Sequence, residues 1–128
     1  MDREKLAKLY KKYQLTADDI FKHKHYMIVT RAGIDKIQAI ENIQIEYSAI
    51  VSQPNFAVVQ AYATKGGTNI QSFGSALKGK THMDGNCTTW YVMEMAEKRA
   101  MSRVVLKMTG FYELGVFGED ESEDFKKV

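Results

Sequence analysis

The chain has 128 residues, 45% hydrophobic and 27% charged, with a formal net charge of +2. That length builds one hydrophobic core and is too short for two, and no apolar run approaches the roughly 18 residues of a transmembrane helix. The charged N-terminus has no apolar signal-peptide centre, and the single Cys87 allows no internal disulfide, so a reducing cytoplasm and no membrane partner are expected.

In chain order, Leu6, Leu9, Tyr10 and Tyr13 recur at spacings of three and four and predict a first helix over 2–13. Thr16 and Asp19 read as the N-cap and third position of a short second helical turn. Residues 25–29, HYMIV, read as a short strand. A helix over about 32–41 follows, with Ile34, Ile37 and Ile40 on its buried side. Three strands come next. Residues 43–51 alternate, with Ile43, Ile45, Tyr47, Ala49 and Val51 on one face. Residues 56–64 are β-branched and aromatic, and Lys65-Gly66-Gly67 forms a tight hairpin turn into 68–76. The only proline, Pro54, falls between the first two of these strands, where no ladder bond is lost. Residues 79–89 form a loop, and 90–109 form the longest helix, stopped by Gly110. The order predicts an α+β fold, a helix packed across an antiparallel meander, in one domain over 1–118.

Residues 119–128, EDESEDFKKV, hold five acids and two lysines and read as a disordered acidic tail. The preceding 118 residues keep 16 of the 18 basic groups and 11 of the 16 acidic ones, a balance of +5. A basic body with an acidic tail suits a partner made of phosphates. The tail, with Phe125, is suited to dock on a repair or replication protein, or to compete with nucleic acid for the basic surface.

GSALKGKT, residues 74–81, matches the G-x-x-x-x-G-K-[ST] pattern of a phosphate-binding P-loop. A P-loop must leave a parallel strand and enter a helix directly. Here the preceding strand belongs to an antiparallel hairpin, and the helix starts about nine residues late. No nucleotide cofactor is therefore expected. His23 and His25 would point to one side of an extended chain, as a metal pair could, but no further ligand lies within four residues. His82 and Cys87 are separated by a flexible loop, and no nucleophile–base pair or carboxylate pair stands out. The chain reads as a non-enzyme without metal or cofactor.

The last helix carries the richer signal. Arg99, Arg103 and Lys107 line one ridge, flanked by Lys98, while Met93, Ala96, Ala100, Val104 and Met108 form an apolar stripe. Such a helix is nearly all apolar, and its arginines need a phosphate or carboxylate partner. Arg31, Lys36, Lys65, Lys78 and Lys80 form a second basic set. Tyr26, Tyr47, Phe56, Tyr62 and Phe73 accompany the strands, mostly as core, with one or two free to stack on bases.

Three stretches resemble the annealing core of Rad52 and the related single-strand annealing proteins of bacteriophages. They are YMIVTRAGIDKIQAI (26–40), FAVVQAYATKGGTNIQSFGSALKG (56–79) and EMAEKRAMSRVVLKMTG (94–110). The resemblance spans about 24–118. It implies a β-β-β-α core that assembles into rings or filaments. It also implies a groove for single-stranded DNA and ATP-independent annealing of complementary strands in recombination and repair, in a bacterial host cell. Carried over, Lys98 and Arg99 hold the inner strand's phosphates, Arg103 lies one position from a third such residue, and Arg31 sits near the basic first turn. Lys65, Lys78 and Lys80 match the region of an outer DNA site. The loop 80–89 and the early end of the chain depart from the family pattern. The competing classes are a passive single-stranded DNA-binding protein, a P-loop-like NTPase and an oligomeric scaffold with arginines paired across subunits.

Overall fold

The fold is α+β in a computed structural model that describes residues 2–81 and 83–121. Helix α1 (Arg3–Lys12) is started by Asp2, whose Oδ1 accepts the Lys5 N–H at 3.0 Å. Strands β1 (Ile20–His23) and β2 (Tyr26–Val29) form an antiparallel hairpin. Helix α2 (Arg31–Glu41) is capped by Thr30 Oγ1, which accepts the Gly33 N–H at 3.2 Å, and ends on Asn42 in the left-handed region. Strands β3 (Gln44–Ser52), β4 (Phe56–Lys65) and β5 (Thr68–Leu77) form the meander, and α3 (Val92–Met108) crosses it. A short 3-10 turn, Tyr112–Leu114, leads to β6 (Val116–Gly118), which joins β2 in parallel and completes the sheet β1-β2-β6.

The helix α3 lies between the two sheets. It packs on β4, whose Ala57, Val59, Ala61 and Ala63 are buried, and on β5, where Ala96 and Ala100 meet Gly74, while Ser102 meets Gly118 of β6. This accounts for a helix that is apolar on nearly every side: both of its faces are covered. Tyr13 and Phe111, fully buried with centroids 5.8 Å apart, fasten α1 to the end of α3. Gly66 and Gly67, at φ +51° and +84°, make the two-residue β4–β5 turn, as their sequence predicts.

Five expectations need correction. Of the aromatics expected mostly in the core, Tyr26, Tyr47, Tyr62 and Phe73 are exposed. Ile40, expected on the buried side of α2, is exposed as well. Three more concern the backbone. First, Thr16–Asp19 makes one hydrogen-bonded turn with Thr16 Oγ1 accepting the Asp18 N–H at 3.2 Å as a cap would, but no helix forms there. Asp19 accepts the Thr16 N–H at 2.9 Å in a tight turn, and the chain then enters β1, which the sequence did not suggest. Second, β3 does not keep one face along its length. A bulge between Ala49 and Val51 pairs Val51 with Val58, whose side chain points away from α3, and Ile50 is left exposed. Third, Glu119–Glu121, expected in a disordered tail, form a 3-10 turn with Glu121 buried. The rest of the expected acidic tail, including Phe125, and His82 lie outside the described residues. Among the described residues, no helix is long and apolar enough to cross a membrane.

Candidate nucleic-acid interface

The GSALKGKT letters take a shape unlike a phosphate loop. Its first four residues are the end of β5, an antiparallel edge strand, and α3 starts only at Val92. Gly74 is needed for close packing: a Cβ there would lie 2.2 Å from the Ala96 carbonyl oxygen and 2.4 Å from the Ala100 nitrogen. Gly79 sits against Gly85 in the same way, a Cβ falling 2.6 Å from the Gly85 nitrogen. Both glycines answer to backbone proximity within the fold.

The arginines of α3 run along the outer edge of β5. Arg99 is 3% exposed. Its Nη1 donates to the Ser75 carbonyl and its Nε to the Asp120 carbonyl, both at 2.8 Å, and its Nη2 donates to the Asn86 carbonyl. Arg103 Nη1 donates to the Phe73 carbonyl at 3.2 Å, and its Nε meets Glu121 Oε1 at 2.7 Å. Asn86 adds its Oδ1 to the Leu77 N–H at 2.7 Å. These groups cap the free side of β5, so another strand cannot pair there. A cleft of about 250 Å³ opens between Phe73, Asn86, Arg99, Arg103 and Glu121, but its cations are already paired.

The other expected cations divide into two groups. Arg31 lies 3.7 Å from Asp35, and its backbone N–H donates to Glu119 Oε1. Lys65 is paired with Glu41, which also meets Lys12 at 3.5 Å. Lys36, of the second basic set, meets the buried Asp19 at 2.6 Å. Lys78, Lys80 and Lys98 carry no ion pair among the described residues. His23 ends β1 and His25 lies in the two-residue β1–β2 turn, so they do not share a face of one strand, and no group of three metal-ligand side chains occurs among the described residues.

Lys78 and Lys80 open the β5–α3 connection, and that connection holds the residues sequence reading missed. Trp90 and Tyr91 are 68% and 66% exposed, and Met83 is also exposed. The Lys78 ammonium lies 5.0 Å from the Trp90 ring centroid. The connection is held rigidly at its base, where Gly79 N–H donates to the Cys87 carbonyl at 2.9 Å and buried Cys87 Sγ donates to the Thr89 carbonyl at 3.3 Å. Tyr91 is the N-cap residue of α3, which has no side-chain cap, and Lys98 follows two turns later along the same face. A signal was present: a lone tryptophan next to a tyrosine in a polar loop between two lysines and a lysine-bearing helix. Cations and exposed aromatic faces together can neutralise phosphates and stack unpaired bases.

Comparison with protein-family models, with curated proteins and with solved structures found no match. The chemistry of this surface therefore carries the functional reading.

Proposed function

We propose that the protein binds single-stranded nucleic acid at the β5–α3 connection and anneals complementary strands without ATP. The observation that carries this reading is the pair Trp90 and Tyr91, two-thirds exposed, with Lys78 seated on Trp90. Each base stacked on an aromatic ring is worth about 1–3 kcal/mol and is sequence-tolerant, while lysines supply salt-sensitive affinity for phosphates. Lys78, Lys80 and Lys98 are the phosphate ligands in this reading. Arg99 and Arg103 act indirectly, by holding β5, Asn86 and the chain after β6 in place. Stacking uses the faces of bases and leaves their pairing edges free for a second strand.

The order β3-β4-β5-α3, a meander crossed by a long helix, supports the Rad52-like β-β-β-α reading. Self-assembly has a natural seam in β3. Helix α3 scarcely reaches it, Tyr47 and Ile50 stand exposed on it, and nothing pairs with its outer edge among the described residues. The exposed aromatics also favour a second reading, a passive single-strand binder, since stacked bases are protected even when no pairing follows.

The test is the annealing rate of two labelled complementary oligonucleotides, without ATP, for the natural chain and Trp90→Ala. Acceleration that weakens in the variant supports annealing. Binding without acceleration selects the passive reading, and absence of binding removes both.

A further inference from the structure

Among the described residues, a large uncompensated positive charge is carried by α1. Its ten residues hold five cations, Arg3, Lys5, Lys8, Lys11 and Lys12, against one carboxylate, Glu4. Lys12 meets Glu41, but Arg3, Lys5, Lys8 and Lys11 have no ionic partner among the described residues and all are exposed. By contrast, Arg31, Lys65 and Arg103 lie against carboxylates and Arg99 is enclosed by carbonyls.

The cations in the first turns of α1 are badly placed for the helix itself, whereas Lys11 and Lys12 sit favourably in its last turn. Lys5, Lys8 and Lys12 recur at spacings of three and four, so like charges face each other and cost a few tenths of a kcal/mol per pair. Arg3 and Lys5 sit in the first turns, where the helix dipole disfavours cations. A surface that breaks local rules without compensation within the fold is a candidate for an external partner. The ridge from Lys5 to Lys12 spans about 10 Å of helix axis, enough for two or three phosphates of an extended strand.

We propose that the solvent face of α1 is a second contact surface for the phosphate backbone of a nucleic-acid strand, separate from the β5–α3 connection. This rests on the nucleic-acid reading above. A membrane surface is the weaker match, because a helix lying in a bilayer interface must bury its apolar face there. In α1 that face is already in the core: Leu6 and Tyr13 are buried, and Tyr10 stacks on Phe111 at 6.1 Å.

The experiment compares the full natural chain with the quadruple variant R3Q/K5Q/K8Q/K11Q and with the double variant K80Q/K98Q. Glutamine keeps helix propensity, and relief of repulsion leaves the variant's melting temperature equal or higher. Binding of a labelled single-stranded oligonucleotide is measured against salt concentration. The expected result is that the magnitude of the log–log salt slope falls by roughly 2 in the quadruple variant, at about 0.7 per phosphate contact. An unchanged slope there, with a reduced slope in K80Q/K98Q, overturns the α1 proposal and leaves the nucleic-acid reading standing. No oligonucleotide binding by the natural chain overturns both, and capture by anionic phosphatidylserine vesicles in that case assigns α1 to a lipid surface.

Discussion

Arg103 Nε and Glu121 Oε1 lie 2.7 Å apart, joining the middle of α3 to the one-turn helix after β6. Glu121 is almost wholly enclosed, while about a third of the Arg103 side chain reaches solvent. The pair is therefore asymmetric. Removing the arginine takes a charged partner from a buried carboxylate, whereas removing the carboxylate leaves an arginine that can turn to water. Arg103→Leu is expected to cost about 2–4 kcal/mol in urea denaturation and Glu121→Gln about 1 kcal/mol. Equal costs would mean that the carboxylate finds solvent once the arginine is gone.

Gly74→Ala is expected to be among the most damaging single-methyl changes in the chain. The added carbon would meet backbone atoms of α3 at 2.2 and 2.4 Å, and a helix backbone cannot step aside as a flexible side chain can. Lifting α3 from β5 would open the layer between them, at a cost of about 3 kcal/mol or more. Gly66→Ala has nothing within 4 Å and meets only the penalty of its positive φ, near 1 kcal/mol. Thermal melting of the two variants distinguishes packing from conformation: similar midpoints would argue against the close helix–strand approach.

Periodicity and turn chemistry make most of the fold legible in the sequence. Ile34 and Ile37 marked the face of α2, though Ile40, read with them, is exposed, and two adjacent glycines marked the β4–β5 turn. The hairpin β1–β2 escaped because its turn is made by Lys24 at φ +56°, where glycine or asparagine would be the usual sign. The bulge after Ala49 left no mark either, since alternation continues through the letters while the backbone inserts a residue. The candidate site was half legible. Charge spacing found the cations of α3, but spacing does not say which side of the helix the second sheet covers. Arg99 shares a ridge with Arg103 and Lys107, yet packs against β5 because Gly74 admits the helix so closely. The connection is anchored in the core at Cys87, and only its end leaves the Trp90 ring in solvent, which charge and spacing do not foretell.

Asp19 joins three segments, accepting from Lys36 Nζ at 2.6 Å and from the Thr16 N–H at 2.9 Å, while its own carbonyl accepts the Thr30 N–H at 2.8 Å. The Lys36 hydrogen bond, with the Thr16 backbone bond, holds its carboxyl below the ordinary value of 3.8. A lowered carboxyl value means the folded state binds the proton more weakly than the unfolded chain does. The stability it contributes is thus complete above the unfolded value and is lost as pH falls through the folded one. Asp19→Asn should be less stable than the natural chain near pH 7, with the gap narrowing below about pH 4. Urea denaturation at both pH values measures this, and a gap that stays constant would assign the effect to hydrogen-bond geometry instead of charge.

Arg99→Ala and Trp90→Ala separate the structural arginine from the proposed binding surface. Arg99 satisfies the carbonyls of Ser75, Asn86 and Asp120 from within the fold. Its loss removes a buried side chain and leaves three carbonyl acceptors short of a donor, with an expected cost of about 3 kcal/mol or more to folding. Trp90 is mostly in solvent, so Trp90→Ala should leave the melting temperature within about 2 °C, since exposed substitutions usually stay within about 0.5 kcal/mol. Oligonucleotide affinity should fall by about 1–3 kcal/mol, the value of one stacked base. Binding must be compared at a temperature where Arg99→Ala is folded. If that variant is folded and loses phosphate affinity as strongly as Trp90→Ala loses stacking, Arg99 would have to leave its carbonyls to reach the strand. The connection would then rearrange on binding, and Asn86, which answers both Arg99 and β5, would be the residue released.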